Sequence, residues 1–134
     1  MKMTREEKWV QRGKMLNKWL YLKNVDIPIK KYLEDKGLKR VAVYGLGDIG
    51  KRLIEELQNS NFVVEYAVDA KAVMLFADFP LYLAKDELPD IDVMIVTVIY
   101  EFEKIRMQMP DRLKEKCISL ETIVNCLWEE CWTN

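Results

Sequence analysis

The residues with the clearest chemical potential are Gly45-Leu46-Gly47-Asp48-Ile49-Gly50, which fit the spacing G-x-G-x-x-G. That spacing suits the seating of a phosphate. Gly45 permits a tight turn out of a strand, and Gly47 lets backbone approach a phosphate with no Cβ in the way. Gly50 lets the following helix lie close to the strand. The amides at the start of that helix, those of Asp48 and Ile49 first, meet an anion at the positive end of the helix dipole. Asp69 follows 19 residues after Gly50. A carboxylate there can accept hydrogen bonds from both hydroxyls of a ribose and would repel a 2′-phosphate. The competing reading is that Asp69 only starts a turn. If it binds, Asp69→Ala weakens binding without unfolding the domain. Asp48 favours the helix but competes with a bound phosphate, so it either points to solvent or takes the anion's place. Thr97 and Tyr100 fall beside the same crevice. Thr97 either touches the ligand or bonds to backbone.

Other chemistries lack their residues. The chain contains no histidine, which removes the commonest general base and a frequent metal ligand. Its three cysteines, Cys117, Cys126 and Cys131, form no CxxC pair, so neither a disulfide framework nor a zinc site is expected. Trp9, Trp19, Trp128 and Trp132 are read as core or interface groups rather than cofactor-stacking ones. Lys71 is read as a solvated loop lysine.

A phosphate turn works only between a strand and a helix, and the surrounding pattern supplies both. Val41 to Tyr44 is a short apolar run, as a buried parallel strand requires. Ile49, Leu53, Ile54 and Leu57 then recur at helical spacing, and Asn59-Ser60-Asn61 ends that helix. Further strands are expected over Phe62–Val68, Phe79–Leu83, Val93–Ile99 and Cys117–Leu120, with a loop or short turn over residues 70–78. Pro80 suits an edge strand. Helices are expected over about 101–109, stopped by Pro110, and over Glu121–Trp132. Ahead of these, a capping box at Thr4 and Glu7 opens a helix ending near Lys23–Asn24. Its apolar stripe is Trp9, Leu16 and Leu20, flanked by Met15, Trp19 and Leu22. A short helix from Pro28 to Gly37 completes an N-terminal helical prefix, residues 1–37, before the main domain, residues 38–134. Alternating strands and helices imply a parallel doubly wound sheet in the order 3-2-1-4-5.

Residues 1–40 carry 12 Lys and Arg against 5 Asp and Glu, whereas the remainder carries 9 against 17. This is read as a basic helical arm packing on an acidic body; an anionic membrane surface or another acidic partner is the sharper alternative. The basic residues are spread around the helix, so no nucleic-acid partner is expected. MKMTREEKWV has no apolar signal core, and a cytoplasmic location follows as an expectation.

The run Lys39 to Leu53 resembles the NAD(P)-binding Rossmann superfamily, and Gly45–Gly50 resembles the turn of 2-hydroxyacid dehydrogenases. Over a longer span, another group is closer. Lys51-Arg52-Leu53, Val64–Asp69, Phe79-Pro80-Leu81-Tyr82, Leu88–Asp92 and Val93–Thr97 resemble small nucleotide-binding domains of bacterial polysaccharide biosynthesis. Such domains precede sugar epimerase/dehydratases or acyltransferases, or accompany glycosyltransferases. The similarity covers residues 38–122 and departs at Ala70, where many relatives carry a second acidic residue.

The resemblance implies a Rossmann-like three-layer αβα fold with about five strands. It also implies a connection to nucleotide-sugars; with no substrate domain and no persuasive proton donor, the chain is read as a nucleotide-binding accessory or sensing module for NAD(H) or a nucleotide-sugar rather than a catalyst. The expected binding residues are Gly45, Leu46, Gly47, Asp48, Ile49, Gly50, Asp69 and Thr97. Only 14 residues follow Leu120, so the second mononucleotide half is expected to be incomplete, with a larger biosynthetic enzyme as a possible partner. Two alternatives stand beside this. One is a ligand-free interaction or oligomerisation module, with homodimerisation its simplest form. The other is a small oxidoreductase subunit.

Overall fold

In the computed structural model, which describes residues 2–71 and 78–133, the chain enters through a capped helix. The Thr4 hydroxyl accepts the Glu7 N–H at 3.1 Å, and Glu7 Oε1 accepts the Thr4 N–H at 2.9 Å. This reciprocal pair satisfies two otherwise orphan donors and opens α1 (Arg5–Asn24). A short α2 (Ile29–Asp35) ends at Gly37, whose φ of +67° is the left-handed turn expected there.

Five strands follow: β1 (Val41–Tyr44), β2 (Val64–Val68), β3 (Leu81–Tyr82), β4 (Val93–Val96) and β5 (Cys117–Ser119). All neighbours pair in parallel, in the order β3-β2-β1-β4-β5. This is the doubly wound αβα arrangement expected of a Rossmann-like fold. The connections are α3 (Asp48–Asn59), a 3-10 turn (Ile99–Glu101), α4 (Phe102–Gln108) and α5 (Asp111–Lys114), with α6 (Leu120–Glu130) closing the chain. Pro110 ends α4 as anticipated, but it also starts α5, which the sequence reading omitted. Ser119 caps α6 by accepting the Glu121 N–H at 3.2 Å. The loop expected over residues 70–78 falls mostly outside the described residues. Among those residues, no helix is long and apolar enough to cross a membrane.

The strands alternate between two apolar layers, because successive side chains point to opposite faces. Val41, Val43, Ala67, Val93 and Ile95 meet Leu53 and Leu57 of α3 and Leu120, Ile123, Val124 and Leu127 of α6. Met15, Trp19 and Leu22 of α1 and Ile29 and Leu33 of α2 belong to that same core. On the other face, Ala42, Tyr66, Val68 and Met94 meet Leu88, Ile91, Met109 and Leu113.

The face α1 buries differs from the sequence expectation. Met15, Trp19 and Leu22 are inside, while Trp9, Leu16 and Leu20 are exposed. The aromatic ring of Tyr21 explains part of the rotation. It packs edge-on to Trp128 at 5.1 Å and stacks on Trp132 at 5.8 Å, fixing α1 to α6.

Tyr66 lies under the second layer, with its hydroxyl donating to the Pro89 carbonyl at 2.8 Å. Burial pushes this phenol up to about 12. An unfolded tyrosine ionises near 10, so stability should fall as pH rises from about 10 towards 12, the window in which only the unfolded state loses this proton. Tyr66→Phe should flatten the fall, measured as denaturant midpoint against pH. An equal alkaline slope in both proteins would contradict the assignment.

Candidate functional site

The glycine turn stands at the carboxyl end of β1, where the chain order splits to β2 on one side and β4 on the other. Gly45 continues the ladder by donating its N–H to the Val68 carbonyl at 2.8 Å, then turns at φ +99°. A side chain there would be strained and would also collide, since an added Cβ lies 2.6 Å from Thr97 Oγ1. Gly50 is tighter still. Its added Cβ would stand 2.0 Å from the Gly45 carbonyl oxygen, so α3 can lie against the turn only as glycine. Gly47 differs from both, with no atom within 4 Å of an added Cβ. Its bare backbone faces open space.

That space is a cleft of ≈390 Å³. Gly47, Asp48, Ile49 and Gly50 form one wall, and Thr97, Val98 and Tyr100 lie beyond the end of β4. No side chain caps α3, and the first intrahelical bond is the one from Lys51 N–H to the Gly47 carbonyl. The amides of Asp48, Ile49 and Gly50 therefore start the helix without intrahelical acceptors.

The remaining wall comes from α1, through Trp9, Arg12 and Leu16. The Arg12 guanidinium lies 4.6 Å from the Tyr100 ring centroid and 5.3 Å from that of Trp9. Lys8 lies over the same Tyr100 ring at 4.7 Å. Arginine stacked on aromatic faces keeps its in-plane N–H donors free for an anion. The cleft thus sets a fixed cation opposite a helix N-terminus, within walls of aromatic and aliphatic side chains.

The other expected residues are placed differently. Asp69 does not line this cleft. Its Oδ2 accepts the Leu46 N–H at 2.7 Å and its Oδ1 accepts the Lys71 N–H at 2.8 Å. It therefore begins a turn and at the same time staples the glycine turn to the end of β2. Each carboxylate oxygen retains a lone pair directed elsewhere. Leu46 is buried and contributes that amide. Thr97 is 5 % exposed, with its hydroxyl facing the Tyr44 carbonyl at 3.0 Å and the Gly45 carbonyl at 2.8 Å. It is bonded to backbone and holds the turn against β4. Asp48 is exposed in the first turn of α3.

Sequence reasoning missed Trp9, Arg12, Leu16 and Val98. The available signal was weak: Arg12 is one of many basic residues around α1, and nothing local marks the one that faces the turn.

Burial pushes the Cys117 thiol up to about 11, and its Sγ approaches the Leu113 carbonyl at 3.4 Å. It is therefore neutral near pH 7 and a poor nucleophile. Among the described residues, no group of three or more Cys, Asp or Glu side chains could hold a metal ion. No family model, curated protein or solved structure matches the chain.

Proposed function

We propose that this chain is a nucleotide-binding accessory or sensing module. The phosphates of NAD(H) or a nucleotide-sugar would lie between the start of α3 and Arg12. The observation that carries the reading is the uncapped first turn of α3 opening into a cleft with a stacked arginine on its far wall. Two independent donors of positive potential then converge on one space, at the crevice where open parallel sheets bind ligands. The bare Gly47 backbone permits close approach. Val98 and Tyr100 offer apolar surface to a base or sugar ring. Asp69 stands outside the cleft and supports the turn through the Leu46 N–H. The nucleotide-sugar option extends the resemblance to domains of polysaccharide biosynthesis. The residues around the cleft bind and orient; no acid–base pair is assigned, so the role is recognition.

A thermal-shift screen of the full chain tests this against NAD, NADH, ADP, and UDP- and CDP-sugars. Ligand about 100-fold above Kd should add roughly 2.7 kcal/mol, a shift of several degrees for a domain of this size. Arg12→Gln removes the cation from a half-buried position on α1 while keeping a side chain of similar reach, and should weaken binding about tenfold. Equal affinity in Arg12→Gln would remove α1 from the site. No shift with any nucleotide at millimolar concentration would favour the ligand-free interaction module.

A further inference from the structure

Helix α1 carries an apolar line that its own fold leaves in solvent. Trp9 is 60 % exposed, Leu16 38 % and Leu20 59 %. Gly13 falls on the same line, because positions 9, 13, 16 and 20 follow the i, i+4, i+7, i+11 spacing of one helix face. The fold of the single chain does not require this glycine, since no atom lies within 4 Å of an added Cβ. Glycine inside a helix is disfavoured by about 1 kcal/mol relative to alanine. A notch kept at that expense, between large apolar neighbours, fits the close approach of another helix.

We propose that this face pairs with the same face of a second copy of the chain. The two α1 helices run antiparallel about a two-fold axis passing between Lys14 and Met15. In that register Trp9 meets Leu20 of the second copy, Leu16 fills the notch at Gly13, and Glu6 meets Lys23. The three pairs share one midpoint, as an isologous interface demands. Size and charge are both complementary: large side chains oppose small or aliphatic ones, and an exposed acid opposes an exposed base. Lys23 also touches Glu56 at 3.0 Å yet stays 51 % exposed, so its ammonium has donors for a second carboxylate. Parallel pairing would instead place Glu6 against Glu6 and Lys23 against Lys23. That like-charge conflict selects the antiparallel form.

Sedimentation equilibrium of the full chain, without nucleotide, tests the pairing. The wild type should show twice the chain mass at micromolar concentration. Gly13→Leu fills the notch and Leu20→Glu puts a charge in the seam, each weakening self-association by roughly 30-fold or more. Neither change touches the buried face of α1, so circular dichroism should report an intact fold in both. A wild type of single-chain mass throughout would overturn the proposal and assign the face to a different partner. So would a dimer that survives both substitutions. Trp9 and Leu16 also border the cleft, so the experiment is run without ligand, and neither result bears on the phosphate seat between the start of α3 and Arg12.

Discussion

Alanine at position 50 is expected to destabilise the fold by about 3 kcal/mol. Its Cβ would lie 2.0 Å from the Gly45 oxygen and 2.9 Å from the Gly45 carbonyl carbon. The collision is with backbone, so no rotamer relieves it. Helix α3 would have to lift from β1, carrying Leu53 and Leu57 out of the first core layer. Gly47→Ala is the informative contrast. Its φ is −73°, which any residue adopts, and the methyl meets nothing. Glycine is the better N-cap, but alanine restricts the unfolded chain, so stability should stay within about 1 kcal/mol of wild type. The methyl would instead enter the cleft and weaken nucleotide binding. Denaturant unfolding of both variants checks the pair: a large fall in midpoint at 50 and a small one at 47. Equal midpoints would contradict the close approach of α3 to the turn.

Glu56→Ala should be of similar size, about 3 kcal/mol, by a different route. Glu56 is 6 % exposed and sits on the inner side of α3. Its carboxylate accepts the Trp19 indole N–H at 2.9 Å, the Ile29 N–H at 2.8 Å and the Lys23 ammonium at 3.0 Å. One side chain thereby ties α1, α2 and α3 together and caps α2, whose own N-cap residue is Pro28. Truncation leaves two buried donors without acceptors. The half-exposed Lys23 contributes little to the loss, because solvent screens it. The effect should also reach the cleft, since α1 carries Arg12. Unfolding free energies for Glu56→Ala, Trp19→Phe and the double variant should show coupling of about 1–2 kcal/mol. Additive losses would mean that the indole–carboxylate bond does not hold α1 in place.

The sheet was legible because each strand has a local signature. Val41–Tyr44 and Val93–Val96 are continuous apolar runs, and Pro80 immediately precedes the edge strand β3. The glycine turn was equally legible, because Gly45 is required by its own φ of +99° and Gly50 by the Gly45 carbonyl within the same hexapeptide, while the clash of Gly45 with Thr97 only reinforces this from a distance. The orientation of α1 was not. Trp9, Met15, Leu16, Trp19, Leu20 and Leu22 spread over nearly half its circumference, so periodicity alone cannot choose which edge of that arc is buried. The choice is made by partners remote in sequence: Glu56 at Trp19, and Trp128 and Trp132 at Tyr21. Arg12 was hidden for the same reason, since its value comes from where α1 docks. Asp69 was singled out by its spacing, yet the bond it makes to the Leu46 amide depends on the shape of the turn itself.

The most direct test of the nucleotide reading is an amide chemical-shift titration of the full chain with ADP and with a UDP-sugar. Saturable shifts at Asp48, Ile49 and Gly50, together with the Arg12 side-chain N–H, are the predicted result. Resonances of α6 should stay fixed. Unmoved amides at the start of α3 at millimolar nucleotide, or shifts confined to other surfaces, would contradict a phosphate seat at the glycine turn.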